Sequence, residues 1–129
     1  QQIAVIRRMV EDLKFRVDII PCPVIREADG LAMSSRNTLL APDEKAIAPN
    51  IYRILQESKG LGLTVQDTQD WVISRINEVP GLEVEYYSIV DGDTLSDIGN
   101  WSDSASVVGC ITVYCGKTPI RLIDHIRYK

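Results

Sequence analysis

The chain is poor in the residues that most often carry metal or redox chemistry. It has one histidine, His125, and three cysteines, Cys22, Cys110 and Cys115, in 129 residues. Neither a zinc site nor a disulfide framework has enough ligands at workable intervals, so reduced thiols used as small packing residues are expected. No stretch approaches the ~20 apolar residues that span a bilayer, and no basic, apolar, small-residue signal opens the sequence. A basic excess is missing too. Fourteen Lys and Arg stand against eighteen Asp and Glu, a net charge of −4, with the two signs interspersed, so nothing attracts a phosphate polymer and no nucleic-acid or membrane partner is expected. A soluble, cytoplasmic protein is the expectation.

The remaining composition, 45% hydrophobic and 25% charged, suits one compact domain, and a chain of this length can bury roughly two-thirds of its unfolded surface. Ile3, Ile6, Val10 and Leu13 fall on one stripe of a helix that starts without an N-cap. A short strand is expected at Val17 to Ile20, ended by Pro21 and Pro23. Helix then strand reads as the last repeat of a parallel-sheet domain, which gives a division into 1–23 and 24–129. From Val24 to Leu40 there is no periodicity and the residues are small and polar, so a long loop is expected.

Pro42 suits a first helical position, with Asp43 and Glu44 at the positive end of the dipole, so a helix should run to about Glu57. Pro49 must kink or split it, and a kinked continuation is the favoured form. Thr64, with Asp67 three residues on, opens a second helix that lasts to about Glu78. From Leu82 the period becomes two: Leu82, Val84 and Tyr86 alternate with Glu83, Glu85 and Tyr87. Val107 to Tyr114 and Ile120 to Ile126 flank the hairpin turn Cys115-Gly116-Lys117-Thr118, while Asp91 to Asp103 forms a surface connection. The expected class is α+β, a small antiparallel three-stranded sheet covered by two helices, following a piece of α/β structure.

Chemistry concentrates in the long loop. Met33-Ser34-Ser35-Arg36-Asn37 follows Asp29-Gly30 and offers two hydroxyls, a guanidinium and a backbone that can approach a ligand closely. Such a set can wrap and charge-stabilise a polyphosphate. Composition alone favours a solvated surface loop, and the longer wording tips the reading. Arg26-Glu27-Ala28-Asp29-Gly30-Leu31-Ala32-Met33-Ser34-Ser35-Arg36-Asn37 resembles the signature of the pantothenate synthetases, itself similar to the Lys-Met-Ser-Lys-Ser loop of related adenylate-forming enzymes. The resemblance extends to the Gln1-Gln2 start and to the Arg121-Leu122-Ile123-Asp124 segment.

The resemblance implies the C-terminal part of an ATP-dependent carbon–nitrogen ligase that joins pantoate to β-alanine through a pantoyl adenylate. It also implies that residues 1–23 end a nucleotidylyltransferase-type Rossmann domain. Magnesium would accompany ATP, and the full-length protein would be a homodimer. Met33, Ser34, Ser35 and Arg36 match the ATP-phosphate loop, Ile25 the backbone position beside adenine, and Gln2 a pantoate contact. No catalytic or metal-binding residue is assigned in this stretch, because the family's His-x-Gly-His and Lys-Asp motifs lie upstream, and the 129 residues alone are expected to be inactive. Arg26, Glu27 and Asp29 are read as scaffolding the loop by ion pairs. The sequence departs from the family wording at Pro21, Cys22, Val24 and His125. The alternatives are a non-catalytic docking or dimerisation module, or the clamp domain of another adenylate-forming nucleotidylyltransferase.

Overall fold

The computed structural model describes residues 1–129. Helix α1 spans Gln2–Asp12. It closes with Lys14 N–H on the Glu11 carbonyl at 3.2 Å and Phe15 N–H on the Val10 carbonyl at 3.0 Å, the paired bonds that usually place glycine in the left-handed region. Here Lys14 occupies that region, with φ 54°. The strand expected at Val17 to Ile20 does not form: the backbone runs on without regular structure to Val24. A strand exists through its ladder, and no segment pairs with these residues, so Ile20 is left 82% exposed.

The helix expected from Pro42 is two helices. Segment α2, Pro42–Ile47, begins with proline at its first position and with the Glu44 carboxylate accepting from Ala41 N–H at 2.9 Å. Segment α3 is Asn50–Ser58. Ala48 and Pro49 keep helical angles, but Pro49 has no N–H to give, so the ladder breaks and a kinked continuation does not describe it. Asn50 Nδ2 takes up the Ile47 carbonyl at 2.8 Å, compensating for Ile51 N–H, which turns to Ala48 at 3.1 Å.

Helix α4 is Val65–Asn77, and its cap is the expected one: Thr64 Oγ1 accepts from Asp67 N–H at 3.1 Å. Replacing Thr64 with alanine should cost about 1 kcal/mol, readable as a lower urea midpoint at unchanged slope.

Strands β1 (Leu82–Asp91), β2 (Val107–Cys115) and β3 (Ile120–Arg127) form one antiparallel sheet in the order β1-β2-β3. Gly116, at φ 91°, turns β2 into β3. The alternation read from the sequence holds only at the start of β1, because the register slips between Val84 and Tyr86. A bulge there puts one extra residue in the strand, so Tyr87 and Ile89 rather than Tyr86 turn to the core.

One sheet face packs on α3 and α4. Ile54, Leu55, Val72, Ile76, Ile89, Ile111 and Val113 meet there, all but excluded from water. Three hydroxyls at this interface are joined in a chain: Tyr87 Oη to Tyr128 Oη at 2.5 Å, Tyr128 Oη to Ser58 Oγ at 2.6 Å, and Ser58 Oγ to the Leu55 carbonyl at 2.6 Å. Gln1, just ahead of α1, reaches the sheet, where Tyr86 Oη donates to Gln1 Oε1 at 3.0 Å. No helix is long and apolar enough to cross a membrane.

Candidate functional site

The loop between Val24 and Leu40 is a short hairpin followed by a 3₁₀ turn. Met33 N–H bonds the Ile25 carbonyl at 3.0 Å and Glu27 N–H bonds the Leu31 carbonyl at 2.8 Å, so Ile25 and Met33, though well separated in sequence, stand side by side. Gly30, at φ 95°, makes the reversal, helped by Asp29 Oδ1 accepting from Leu31 N–H at 3.0 Å. A side chain at Gly30 would be strained at that angle and pressed against the Tyr52 ring.

The turn at Ser35–Leu39 is capped by Ser34, whose Oγ accepts from Arg36 N–H at 3.2 Å. Asn37 is buried under it and donates through Nδ2 to the Ala32 carbonyl at 3.0 Å. A cleft of about 380 Å³ adjoins, lined by Glu27, Ala28, Asp29, Leu31, Asn37 and Lys45. The Ser35 hydroxyl has no partner within the protein, and Ser34, Ser35 and Arg36 are exposed.

Strand β3 is an edge of the sheet, so part of its backbone faces away from β2. The loop lies against that edge. Arg36 Nη1 donates to the Arg121 carbonyl at 3.0 Å. Arg26 forks onto Asp124 through Nη1 to Oδ2 at 2.7 Å and Nη2 to Oδ1 at 2.8 Å, adds the Gly30 carbonyl at 3.1 Å, and stacks 3.5 Å over the Tyr52 ring. Burial opposes the charge on Arg26, but the Asp124 hydrogen bonds and charge outweigh it and hold the guanidinium pKa above its ordinary value. Arg121 is paired as well, Nε to Glu85 Oε2 at 2.7 Å. Of Arg26, Arg36 and Arg121, which the loop brings together, only Arg36 lacks a carboxylate partner. Its remaining guanidinium N–H groups are free to meet an anion.

The structure thus gathers Ile25, Met33, Ser34, Ser35 and Arg36 into one exposed patch. Gln2 stands apart from them in bonding: it is exposed in the first turn of α1, with no hydrogen bond to the loop. The scaffolding expected of Arg26 is present, and Asp29 scaffolds by capping a backbone amide rather than by an ion pair. Glu27 makes no ion pair. Sequence reading missed Asp124 and Tyr52 as partners of Arg26, since a separation of 98 residues leaves no local signal.

Comparison with known proteins then identifies the family. Residues 1–127 match the family model described as pantoate-beta-alanine ligase. The chain belongs to the pantoate-beta-alanine ligase family. It is 53% identical over 131 aligned positions to the pantothenate synthetase of Porphyromonas gingivalis, covering 100% of this chain and 46% of that protein. A crystal structure of pantothenate synthetase from Thermus thermophilus superposes with a TM-score of 0.87 at 35% identity, over 98% of this chain and 46% of that one. The pantoate-beta-alanine ligase from Francisella tularensis, solved with beta-gamma ATP and beta-alanine, matches with a TM-score of 0.64 at 26% identity, over 98% and 40%. The chain therefore spans under half the length of these ligases.

Two of the three thiols follow the packing role expected of them, and Cys22, on the unpaired stretch after α1, does not. Cys110 and Cys115 are buried and Cys22 is exposed. Burial, reinforced by the charges of Glu44 and Asp43, pushes Cys115 up to about 11, and burial raises Cys110 as well. At pH 8 the Cys115 thiol therefore stays protonated. Alkylation of the native protein at that pH should modify Cys22 rapidly and the other two only on unfolding, countable by mass spectrometry.

Proposed function

We propose that this region is the nucleotide-clamping part of a ligase that condenses pantoate with β-alanine, and that Ser34, Ser35 and Arg36 hold the β- and γ-phosphates of ATP. The observation that carries the reading is the state of Arg36: exposed, held in place by one backbone carbonyl, and without a carboxylate to neutralise it. The family membership, and the beta-gamma ATP and beta-alanine named with the Francisella relative, support the same chemistry.

In the proposed reaction a pantoate carboxylate oxygen attacks the α-phosphorus of ATP, and the bond to the bridging oxygen breaks to release pyrophosphate. The amine of β-alanine then attacks the carbonyl carbon of pantoyl adenylate, loses a proton and expels AMP. Negative charge builds on the departing pyrophosphate in the first step. Donors already fixed toward it stabilise that charge without reorganising, which is the role given to the two hydroxyls and the guanidinium.

Ile25 would place its main-chain groups beside the adenine, and its bond to Met33 links that position to the start of the phosphate loop. Gln2 supplies an amide to pantoate. Magnesium would enter with the nucleotide as part of the substrate. Residues 1–23 would belong to the preceding domain. Because the chain spans under half of its relatives, the reaction is assigned to the full-length homodimeric enzyme, and the 129 residues alone are expected to form no pantothenate.

Exposed Ile3, Ile6 and Met9 on α1, with Leu13 at its C-cap, favour a docking role for that helix alongside the clamp. The test of the main reading is pantoate-dependent exchange of labelled pyrophosphate into ATP by the full-length enzyme. Exchange that needs pantoate but not β-alanine is expected. Exchange driven by another acid, with none from pantoate, would assign the clamp to a different adenylate-forming enzyme.

A further inference from the structure

We propose that Arg26 and Asp124 act as a positioning pair, with Tyr52 as their platform, setting the distance and angle at which the 33–36 loop meets the phosphates; this rests on the clamp reading above. Leu31 and Leu40 seat the loop's two ends in the core, and the polar contacts that orient the stretch between them are few. Ser34 and Asn37 tie the loop to itself, whereas Arg26 and Arg36 tie it to the sheet. Arg36 is the group that would turn to the nucleotide, so its single bond to the Arg121 carbonyl cannot also be the permanent anchor. That leaves Arg26.

Its geometry suits an anchor. The guanidinium is fixed in its plane by two parallel bonds to Asp124, by the Gly30 carbonyl and by the face of Tyr52. It is therefore held in orientation as well as in place. The Arg26 and Asp124 side chains are 18% and 6% exposed, so water competes weakly with the pair. Asp124 is fixed in turn by its place in β3, where its oxygen Oδ1 also accepts from His125 N–H at 2.7 Å. The rigid sheet thereby sets the position of Gly30, and through the Ile25–Met33 bond the position of Ser34, Ser35 and Arg36. A point charge cannot reproduce this, because lysine offers neither the planar fork nor the stacking face.

The experiment uses the full-length ligase with Arg26→Lys, Asp124→Asn and, for comparison, Arg36→Ala. Both pair variants should raise KM for ATP roughly tenfold while leaving KM for β-alanine within about twofold, since only the phosphate contacts are displaced. Tyr52→Phe, which keeps the ring, should match wild type. Tyr52→Ala should follow the pair variants. Thermal midpoints measured alongside separate positioning from folding: a variant that loses stability while both KM values stay at wild type would overturn the proposal. If Arg36→Ala is impaired and the pair variants are not, the positioning role fails and the clamp stands. If Arg36→Ala is itself as active as wild type, the clamp reading fails first.

Discussion

On the proposed clamp, replacing Arg36 with alanine in the full-length ligase should lower kcat for pantothenate formation about 10²–10³-fold, the loss typical when one fixed donor to developing charge is removed. The size follows from what surrounds it. Arg26 and Arg121 are already committed to Asp124 and Glu85, so neither can turn to replace it. Arg36→Lys should recover only part of the loss, because the ammonium keeps the charge and loses the fork. Pre-steady-state release of pyrophosphate, the step in which the charge develops, should slow by the same factor as turnover. Attack by β-alanine on adenylate already formed should not. An Arg36→Ala enzyme slowed only in that second step would place the guanidinium elsewhere in the reaction.

The largest effect on stability is expected at Ile111. It lies on the central strand, 1% exposed, and packs into the cluster formed with α3 and α4. Truncation to alanine removes most of the side chain and leaves a cavity that flanking strands cannot close, a cost of about 2–5 kcal/mol. For a chain of this size each kcal/mol moves the thermal midpoint by roughly 3–5 °C. Ile123, on the neighbouring strand, is 54% exposed, and the same truncation there should stay within about 0.5 kcal/mol. The pair forms a controlled comparison: identical chemistry, opposite burial. Equal losses at both positions would mean that the sheet's inner and outer faces have been assigned wrongly.

Local chemistry was legible in the sequence wherever one residue governs its own neighbourhood. Thr64 capped its helix, Gly116 turned its hairpin, and Pro42 opened α2, because each acts through bonds within a few residues. The 24–40 loop was legible as a loop for the same reason. Failures came where the deciding partner was distant or absent. Val17 to Ile20 has strand-forming residues but no neighbour to bond, and propensity cannot supply one.

Pro49 shows a subtler failure. The ring broke the ladder, yet how completely depended on Asn50 being present to satisfy the freed carbonyl. In β1 a single extra residue after Val84 reversed the faces, and nothing in the alternation of Tyr and Glu marks a bulge.

The candidate site divides along the same line. Met33 to Arg36 are consecutive, so their wording alone named them. Their anchor on Asp124 comes from the far end of the chain, and the absence of any carboxylate beside Arg36 is a property of packing that no linear motif records. Gly30 connects the two levels: its residue type was visible in the sequence, and the reason for it, a left-handed turn laid against Tyr52, only in the fold.

The grip on the triphosphate is tested most directly by calorimetric binding of ATP and of AMP to the full-length enzyme and to its Ser34→Ala/Ser35→Ala/Arg36→Ala variant. ATP should bind the variant at least about a hundredfold more weakly, which corresponds to about 2.7 kcal/mol, while AMP, which lacks the β- and γ-phosphates, should bind both proteins alike. Unchanged ATP affinity in a folded triple variant, or an equal loss for AMP, would contradict the assignment of this loop to the phosphates.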